Sequence, residues 1–379
     1  MTPPRRVALE AALAAMPDLP ALTQDSAPFS KVAPVLRKRF ASHLYGSIPD
    51  RPEALTVEQL PLPNSGGERV KIAMSLPGGQ ISTDAAIWYP TGEGPWPLIC
   101  GLDFVGPAGL MFDTDFPLDP SAIIVGRPEF GAHDGRLCDV LRGTSALNWP
   151  VSLLNAAGYA VLVSCYGSWA PDHPEGCRDA GLMPVIETPT GAISLWAWAI
   201  SRLIDIAEEC PRIDHRRVAV AGHSRLGKAA LWASAHDTRI GAVFASSSGT
   251  AGAAPAAHPV GETLTQLRDR FPHWLSPDPL KAPTDLDQHG LIALSSPRRV
   301  YLAAAEEDLW ADPLGSYMAL VAASAVWPDA ARFEWPEPAS LWTPGAQVTN
   351  GTLGFHLREG GHALLPYDWR RFLEFLASG

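Results

Sequence analysis

The sequence predicts an α/β fold in which a mostly parallel sheet lies between two layers of helices. Short, continuously apolar runs, typical of strands buried on both faces, alternate with segments of helical periodicity. Residues 217–232 combine both signals, because an apolar run turns sharply at Gly222-His223-Ser224-Arg225 and continues as a helix. With 46% hydrophobic residues, the 379-residue chain can build the large core that such a three-layer sandwich requires.

The N-terminal part of the chain differs from this alternating pattern. Residues 1–50 predict a helical or irregular arm packed on the body, and residues 51–379 predict a single α/β domain. Three segments with period-two alternation, separated by Pro, Gly or Asn, predict antiparallel strands at 55–62, 69–75 and 81–89.

The strands and helices of the main body follow in order. Apolar runs predict buried strands at 96–101, 158–165, 218–221, 241–245 and 300–305, and helical spacing predicts helices at 193–207, 226–232, 314–326 and 367–376. Residues 107–150 are rich in Gly, Pro and Asp and have little periodicity. Because long loops in compact domains are usually lids or binding loops, we expect this insertion to lie over the functional face.

Composition excludes several classes of function. The net charge of −11 argues against nucleic acids and anionic membranes as partners, because their phosphates would be repelled. No window approaches the roughly 18 apolar residues of a membrane span.

The chain has no His-Glu-x-x-His motif, no clustered Cys and His, and no dinucleotide fingerprint after a strand, so we expect neither a metal nor another cofactor. We also expect a monomer.

The cysteines and the N-terminus bear on the cellular compartment. Cys165 and Cys177 could pair across a loop, but five cysteines without zinc spacing favour free buried thiols. The apolar segment at 7–16 is interrupted by Glu10 and makes a poor secretion signal. The protein is therefore expected in the cytoplasm, or outside it (secreted or periplasmic) if a signal peptide has been removed.

Ser224 is the strongest candidate for chemistry. A serine on a sharp turn between a buried strand and a helix is the nucleophile elbow of the α/β-hydrolase fold. The usual pattern is Gly-x-Ser-x-Gly, but here Leu226 takes the place of the second glycine and Gly227 follows one residue later. The alternative is a serine that serves as a helix cap. The strand before it, the helix after it, and the acid and histidine farther along favour the nucleophile.

An acid and a histidine follow Ser224 in the order that α/β-hydrolases use. A serine hydroxyl needs a neighbouring base, and that base needs an orienting acid. The acids Glu306, Glu307 and Asp308 come directly after a predicted strand, and His362 follows two glycines near the C-terminus. The order predicts a Ser224–His362 pair oriented by one of these acids.

The segment Gly222-His223-Ser224-Arg225-Leu226-Gly227-Lys228 resembles the Gly-x-Ser-Arg-x-Gly-Lys signature of the glucuronoyl esterases, carbohydrate esterase family 15. The resemblance covers roughly residues 80–379. It includes further blocks similar to bacterial members: Ala197-Trp198-Ala199, Gly261-Glu262-Thr263, Phe271-Pro272-His273-Trp274, Asp287-Gln288-His289, Ala311-Asp312-Pro313 and Arg358-Glu359-Gly360-Gly361-His362.

The resemblance implies a serine esterase of lignocellulose degradation with a catalytic triad. Its substrate would be the ester between a glucuronate or 4-O-methyl-glucuronate carboxyl group and a lignin alcohol, as a small molecule or within a polysaccharide. Ser224 would be the nucleophile, His362 the base, and Arg225 the oxyanion hole through its backbone N–H and guanidinium. A fixed cation beside a developing oxyanion is worth more than a neutral donor.

Three further residues match family positions that bind the uronate ring: Lys228, Glu262 and Trp310. Lys228 lies one helical turn after Ser224 and could face the same cleft. The alternative for Lys228 is a solvated lysine on the helix surface.

The sequence departs from the family pattern at two places. Many members carry the triad acid in the loop after the next strand, where this chain has Ser247. The acid must then come from the later strand, and we expect Asp308, with Glu307 second. Ala257 and His258 stand where bacterial members often have paired arginines, which leaves the affinity for the uronate carboxyl group or its neighbouring sugars open.

Two alternatives to a glucuronoyl esterase remain at this point. One is an esterase of other specificity, such as an acetyl-ester or small-ester hydrolase, which the missing arginines favour. The other is a non-catalytic carbohydrate-binding relative. The intact serine and histidine argue against the second, because a binding module would need neither.

Overall fold

A mixed sheet of ten strands forms the centre of the computed structural model, which describes residues 3–22, 28–328, 334–343 and 345–378. In chain order the strands are β1 (Ala54–Leu62), β2 (Gly67–Leu76), β3 (Gly79–Trp88), β4 (Trp96–Asp103), β5 (Ala160–Cys165), β6 (Ile213–His223), β7 (Ile240–Ser246), β8 (Arg299–Ala305), β9 (Gln347–Thr349) and β10 (Leu353–Arg358). Across the sheet their order is β1-β2-β3-β5-β4-β6-β7-β8-β10-β9.

Two kinds of strand pairing divide this sheet. The pairs β1–β2, β2–β3 and β3–β5 are antiparallel. From β5 through β4, β6, β7 and β8 to β10 all pairs are parallel, and β9 closes the far edge in antiparallel orientation. Every residue of β5 and β10 is buried, as expected for parallel strands covered on both faces. The predicted α/β architecture, in which antiparallel strands precede a mostly parallel sheet, is confirmed.

The helices cover both faces of the sheet. They are α1 (Pro3–Ala14), α2 (Phe29–Phe40), α3 (Pro107–Leu110), α4 (Val151–Ala156), α5 (Tyr166–Trp169), α6 (Pro174–Asp179), α7 (Ala192–Glu208), α8 (Arg225–His236), α9 (Leu264–Arg270), α10 (Gln288–Ala293), α11 (Pro313–Ser324), α12 (Pro338–Leu341) and α13 (Pro366–Ala377). One apolar core includes Trp196 of α7 and Leu231 of α8. A second core includes Leu154 of α4 and Trp369 of α13. Sheet and two helical layers thus form the expected sandwich.

The strand β10 is the main element that periodicity did not predict. Gly354 and His356 interrupt its apolar run. His356 is nevertheless fully buried, because its ring hydrogen-bonds to the hydroxyl of Tyr301 at 3.0 Å and to the carboxylate of Asp368 at 2.8 Å. A buried polar side chain needs such partners, and these lie elsewhere along the chain.

Residues 29–45 pack against α8. The ring of Tyr45 lies 5.9 Å from that of Phe40 and 4.7 Å from that of Trp232 between ring centroids. The guanidinium of Arg37 donates to the carbonyl of Ala235 at 2.6 Å. This early part of the chain therefore contributes side chains to a core of the sandwich. The division at residue 50 stays a prediction.

All five cysteines are free thiols, as expected, and all except the half-buried Cys138 are buried. Burial raises the pKa of both Cys165 and Cys177 to about 12, so both thiols are protonated at neutral pH. Within the described ranges, no helix has both the length and the apolar character that a membrane crossing demands.

The turn between β6 and α8 depends on two glycines. A Cβ atom added at Gly222 would lie 2.1 Å from the carbonyl oxygen of Leu226, so no side chain fits there. A Cβ atom added at Gly227 would lie 3.0 Å from the Cβ atom of Ser248, which follows β7. The second glycine of the elbow therefore lies at 227, where α8 passes close to the neighbouring loop, and position 226 accepts a buried leucine.

We expect Gly222→Ala to lower the free energy of unfolding by about 2 kcal/mol or more, because the added methyl group forces the strand and helix apart. Urea unfolding followed by circular dichroism measures this change. Gly241→Ala in β7 is the matched control, since its Cβ atom meets the carbonyl of Val218 at an ordinary 3.4 Å. Equal losses in the two variants would contradict the close approach at Gly222.

Candidate active site

The predicted catalytic residues lie at the carboxyl edge of the parallel strands, where ligands bind in open α/β sheets. Ser224 follows β6, Asp308 follows β8 and His362 follows β10. Ser224 and His362 line two cavities together, of about 190 and about 280 Å³. The sheet thus gathers three side chains that are up to 138 residues apart in the chain (362 − 224 = 138).

His362 and Asp308 form a hydrogen-bonded pair. The Nδ1 atom of His362 lies 2.7 Å from Oδ2 of Asp308. The Asp308 side chain is 2% exposed and that of His362 is 41% exposed, so the carboxylate is enclosed while the imidazole faces the cavities. Glu307 is exposed, and its backbone N–H donates to the carbonyl of Gly360. A carboxylate on Nδ1 fixes the tautomer that presents Nε2 as a proton acceptor.

Arg358 fixes the loop that carries His362. Its guanidinium donates to the carbonyls of Glu359 (2.7 Å), Gly361 (2.9 Å) and Ala363 (2.5 Å). The buried carboxylate of Asp368 accepts from Nε of Arg358 at 3.2 Å and compensates its charge. Because these three charge-assisted hydrogen bonds fix alternate carbonyls of one short loop, they restrict the position of the His362 imidazole.

Ser224 has the strained backbone of a nucleophile elbow. Its φ is 56° and its ψ is −126°, and its N–H donates to the carbonyl of Ser246 at 2.8 Å. A non-glycine residue held in this region costs on the order of 1–3 kcal/mol, which the surrounding structure has to supply. Arg225 is the first residue of α8, so its backbone N–H is one of the groups that a helix leaves without an internal partner.

The guanidinium of Arg225 is fixed by a buried carboxylate that the sequence analysis missed. Arg225 is ion-paired with Asp172, and its guanidinium carbon lies 4.4 Å from the ring centroid of Trp274. Asp172 also accepts from Tyr166 (2.7 Å), His273 (3.0 Å) and Trp274 (2.7 Å). Burial alone would raise the pKa of Asp172, but Arg225 and these donors hold it well below its usual range.

Asp172 could not be identified from its sequence context. It lies between α5 and α6, next to Pro171 and His173, where nothing in the sequence distinguishes it from a solvated loop carboxylate. The block Phe271-Pro272-His273-Trp274 was the available signal, because two of its members turn out to be donors to Asp172.

Lys228 lies in the wall of the smaller cavity and is 3% exposed, so it is not a solvated surface lysine. Its ammonium group donates to the carbonyls of Ser248 (2.7 Å) and Thr250 (2.5 Å) and lies 3.6 Å from Oε2 of Glu262. Burial lowers its pKa to about 8, although the charge of Glu262 acts in the opposite direction.

Glu262 and Trp310 are neighbours in the same cavity. The N–H of Glu262 donates to the carbonyl of Trp310 at 2.9 Å, which joins the two loops that carry them. Glu262 is 7% exposed, whereas Trp310 is 43% exposed and forms part of the rim. An ammonium group, a carboxylate and an aromatic face therefore surround one space.

The structure also locates the residues at which the sequence departs from the family pattern that it resembles. Ser247 has a φ of 46°, lines the smaller cavity and buries a hydroxyl that has no hydrogen-bond partner. His258 is buried against Asp312 at 2.6 Å and against the carbonyl of Ala12 in α1 at 3.0 Å. Neither His258 nor Ala257 lines the two cavities beside Ser224.

Known proteins are similar to this chain over most of its length. The family model described as glucuronyl esterase, fungi, matches residues 185–330. Carbohydrate esterase MZ0003, from an unknown prokaryotic organism, is 32% identical over 365 residues, which cover 90% of this chain and 82% of that relative. The 4-O-methyl-glucuronoyl methylesterase of Cerrena unicolor is 30% identical over 215 residues, or 49% of this chain and 44% of that enzyme.

A solved structure extends the similarity to the whole architecture. A promiscuous CE15 esterase from a marine bacterial metagenome superimposes with a TM-score of 0.82 at 29% identity, covering 96% of this chain and 97% of that one. The expected α/β-hydrolase fold is confirmed. The chain therefore belongs to the glucuronoyl esterases of carbohydrate esterase family 15 and is a carboxylic ester hydrolase.

Proposed function

We propose that the protein hydrolyses esters of glucuronate and 4-O-methyl-glucuronate through an acyl-enzyme on Ser224. The observation that carries the proposal is the Asp308–His362 pair, whose imidazole lines the same cavities as the serine on the elbow. A serine becomes nucleophilic when an adjacent base, itself oriented by an acid, removes its proton.

Each step of the reaction has a residue that can perform it. His362 takes the hydroxyl proton of Ser224 while Oγ forms a bond to the ester carbon. His362 then gives that proton to the leaving alcohol oxygen as the carbon–oxygen bond breaks. Water repeats the sequence on the acyl-enzyme: His362 accepts a water proton, the hydroxide adds to the carbonyl, and the proton returns to Ser224 as the uronate leaves.

Arg225 stabilises the negative charge that develops on the carbonyl oxygen. Its backbone N–H lies at the start of α8, and its guanidinium is held by Asp172 and Trp274 before substrate arrives. Preorganised donors are effective because they need no reorganisation during the reaction. The Asp172 carboxylate lowers the net charge of the group but keeps it in place.

The uronate ring occupies the cavity of about 190 Å³. Lys228 and Glu262 offer donors and acceptors to its hydroxyls, and the exposed face of Trp310 packs against its C–H surface. The methylesterase of Cerrena unicolor, which is named for 4-O-methyl-glucuronoyl esters, supports this substrate class.

A broader ester specificity is the second candidate function. The solved relative from a marine metagenome is described as promiscuous, and Ala257 and His258 leave this chain without the paired arginines. Both candidates use Ser224, so the substrate comparison separates them.

We expect the protein to hydrolyse benzyl glucuronate with a kcat/KM at least tenfold above that for an aryl acetate, because the acetate leaves the uronate cavity empty. Ser224→Ala should lower both rates by about 10⁴-fold or more. Liquid chromatography of released alcohol measures the first rate and absorbance the second. Acetate turnover alone would favour the broader esterase, and turnover that survives Ser224→Ala would refute the acyl-enzyme.

We expect Asp308→Asn to lower kcat by about 10³- to 10⁴-fold, since an amide no longer stabilises the imidazolium and favours the wrong tautomer. Glu307→Gln changes the same functional group one residue earlier on an exposed side chain and should alter kcat by less than about threefold. The two variants are compared on benzyl glucuronate at saturation. A larger loss in Glu307→Gln would move the triad acid to that residue.

We expect kcat/KM to fall as the pH rises through about 8, the lowered pKa of Lys228. Below this pH the ammonium balances the charge of Glu262. Above it the neutral amine leaves that carboxylate unbalanced near the developing oxyanion, which raises the barrier. Lys228→Gln should have a kcat/KM about tenfold lower at pH 7 and should lack this fall. If the kcat/KM of Lys228→Gln falls with rising pH as that of the unmodified protein does, another group causes the fall.

A further inference from the structure

The larger of the two cavities beside Ser224 has no role in the function proposed so far. It has a volume of about 280 Å³ and shares Ser224, Arg225 and His362 with the uronate cavity. Beyond these shared residues its wall is different, because it includes Phe104, Val125, Arg127 and Leu364. The volume lies just below the roughly 300–1,000 Å³ of typical ligand sites, which fits one small ring.

The chemistry of ester cleavage decides which half of the substrate lies there. The proton that His362 removes from Ser224 has to reach the alcohol oxygen, so the alcohol must leave on the side of the imidazole. The larger cavity includes Ala363 and Leu364, which directly follow His362, whereas the smaller one includes Lys228 and Glu262. With the uronate in the smaller cavity, the alcohol half extends into the larger one.

Beyond the shared residues, the wall of this cavity combines apolar surface with three polar side chains, those of Arg127, Asn148 and His223. Phe104, Val125 and Leu364 offer an aromatic and two aliphatic surfaces. The guanidinium carbon of Arg127 lies 5.4 Å from the ring centroid of Phe104. A guanidinium over one side of an aromatic wall suits a flat ring with an oxygen at its edge, because the ring packs and the oxygen accepts.

The guanidinium of Arg127 is only partly hydrogen-bonded in the described structure. Its Nε is buried and has no partner in the described structure. Its Nη1 lies 3.5 Å from a carboxylate oxygen of Glu129, at the outer limit of a hydrogen bond, and that glutamate side chain is 52% exposed. Because this enclosed Nε is out of the reach of a ligand, the Nη atoms of the side chain, which is 24% exposed, are the donors that a ligand oxygen would meet.

The segment that carries Arg127 is anchored to the same cluster as Arg225. Arg127 exchanges backbone hydrogen bonds with Ala132 at 2.7 and 3.1 Å, which closes a tight ribbon. The N–H of Val125 donates to the hydroxyl of Tyr166, which in turn donates to Asp172. Two hydrogen bonds and the short backbone link between residues 125 and 127 therefore place the cation relative to the Arg225–Asp172 pair.

We infer that this cavity receives the alcohol half of the ester, and that Arg127 selects aromatic alcohols whose ring carries an acceptor oxygen. The inference rests on the proposed function, because it takes the uronate to occupy the smaller cavity. It makes Arg127 a specificity-determining residue for the leaving group, contributed by the insertion at 107–150.

The test compares the methyl, benzyl and 3,4-dimethoxybenzyl esters of glucuronate. For each ester kcat/KM reports events up to release of the alcohol, and dividing by the methyl ester removes effects common to all three. Arg127→Met keeps the length of the side chain and removes its donors. We expect it to lower the dimethoxybenzyl-to-methyl ratio about tenfold, the factor for one hydrogen bond to a charged group, and the benzyl-to-methyl ratio by less than twofold.

Arg136→Met is the matched control, because Arg136 belongs to the same insertion but lines neither cavity, and it should leave both ratios unchanged. Arg127→Lys is a second variant that keeps a charge and should give an intermediate ratio. A uniform loss over the three esters, or unchanged ratios in Arg127→Met, would overturn the inference. Failure of the unmodified protein to cleave the methyl and benzyl esters alike would refute the proposed function itself, and the inference would fall with it.

Discussion

The active-site region depends on one buried carboxylate, Asp172. It accepts hydrogen bonds from Tyr166, His273 and Trp274 and pairs with Arg225. These partners come from three separate parts of the chain, so Asp172 joins the elbow to α5 and to the loop that follows α9. Removing one partner of such a buried pair leaves an uncompensated charge, which typically costs about 3–5 kcal/mol. The arrangement therefore tolerates little change.

A similar device supports the other side of the site. Arg358 binds three carbonyls of the loop that carries His362, and Asp368 of α13 compensates its charge. Each of the two proposed catalytic loops thus rests on a buried arginine–aspartate pair, although one arginine lines the cavities beside Ser224 and the other binds backbone carbonyls. Preorganisation of this kind lets the site present fixed dipoles to a charge that appears during the reaction.

Much of the fold could be predicted from the sequence, because strands buried in a parallel sheet need continuous apolar runs and amphipathic helices need a regular period. The prediction failed for β10, where His356 breaks the apolar run. Burial of that histidine depends on Tyr301 and Asp368, which come from β8 and α13. Local patterns cannot reveal a polar group that distant partners satisfy.

For the site, the sequence by itself determined the candidates: the serine on its turn, the acids after a late strand and the histidine in a glycine-rich loop, all in a fixed order along the chain. Tertiary structure decided which acid lies against the histidine, since Glu307 and Asp308 are adjacent in sequence but differ in direction, and only packing encloses one of them. It also decided the surroundings of Arg225 and Arg127. The contacts Arg225–Asp172 and Val125–Tyr166 span more than 40 residues of sequence, and no periodic pattern in the sequence predicts such distant hydrogen bonds (225 − 172 = 53; 166 − 125 = 41).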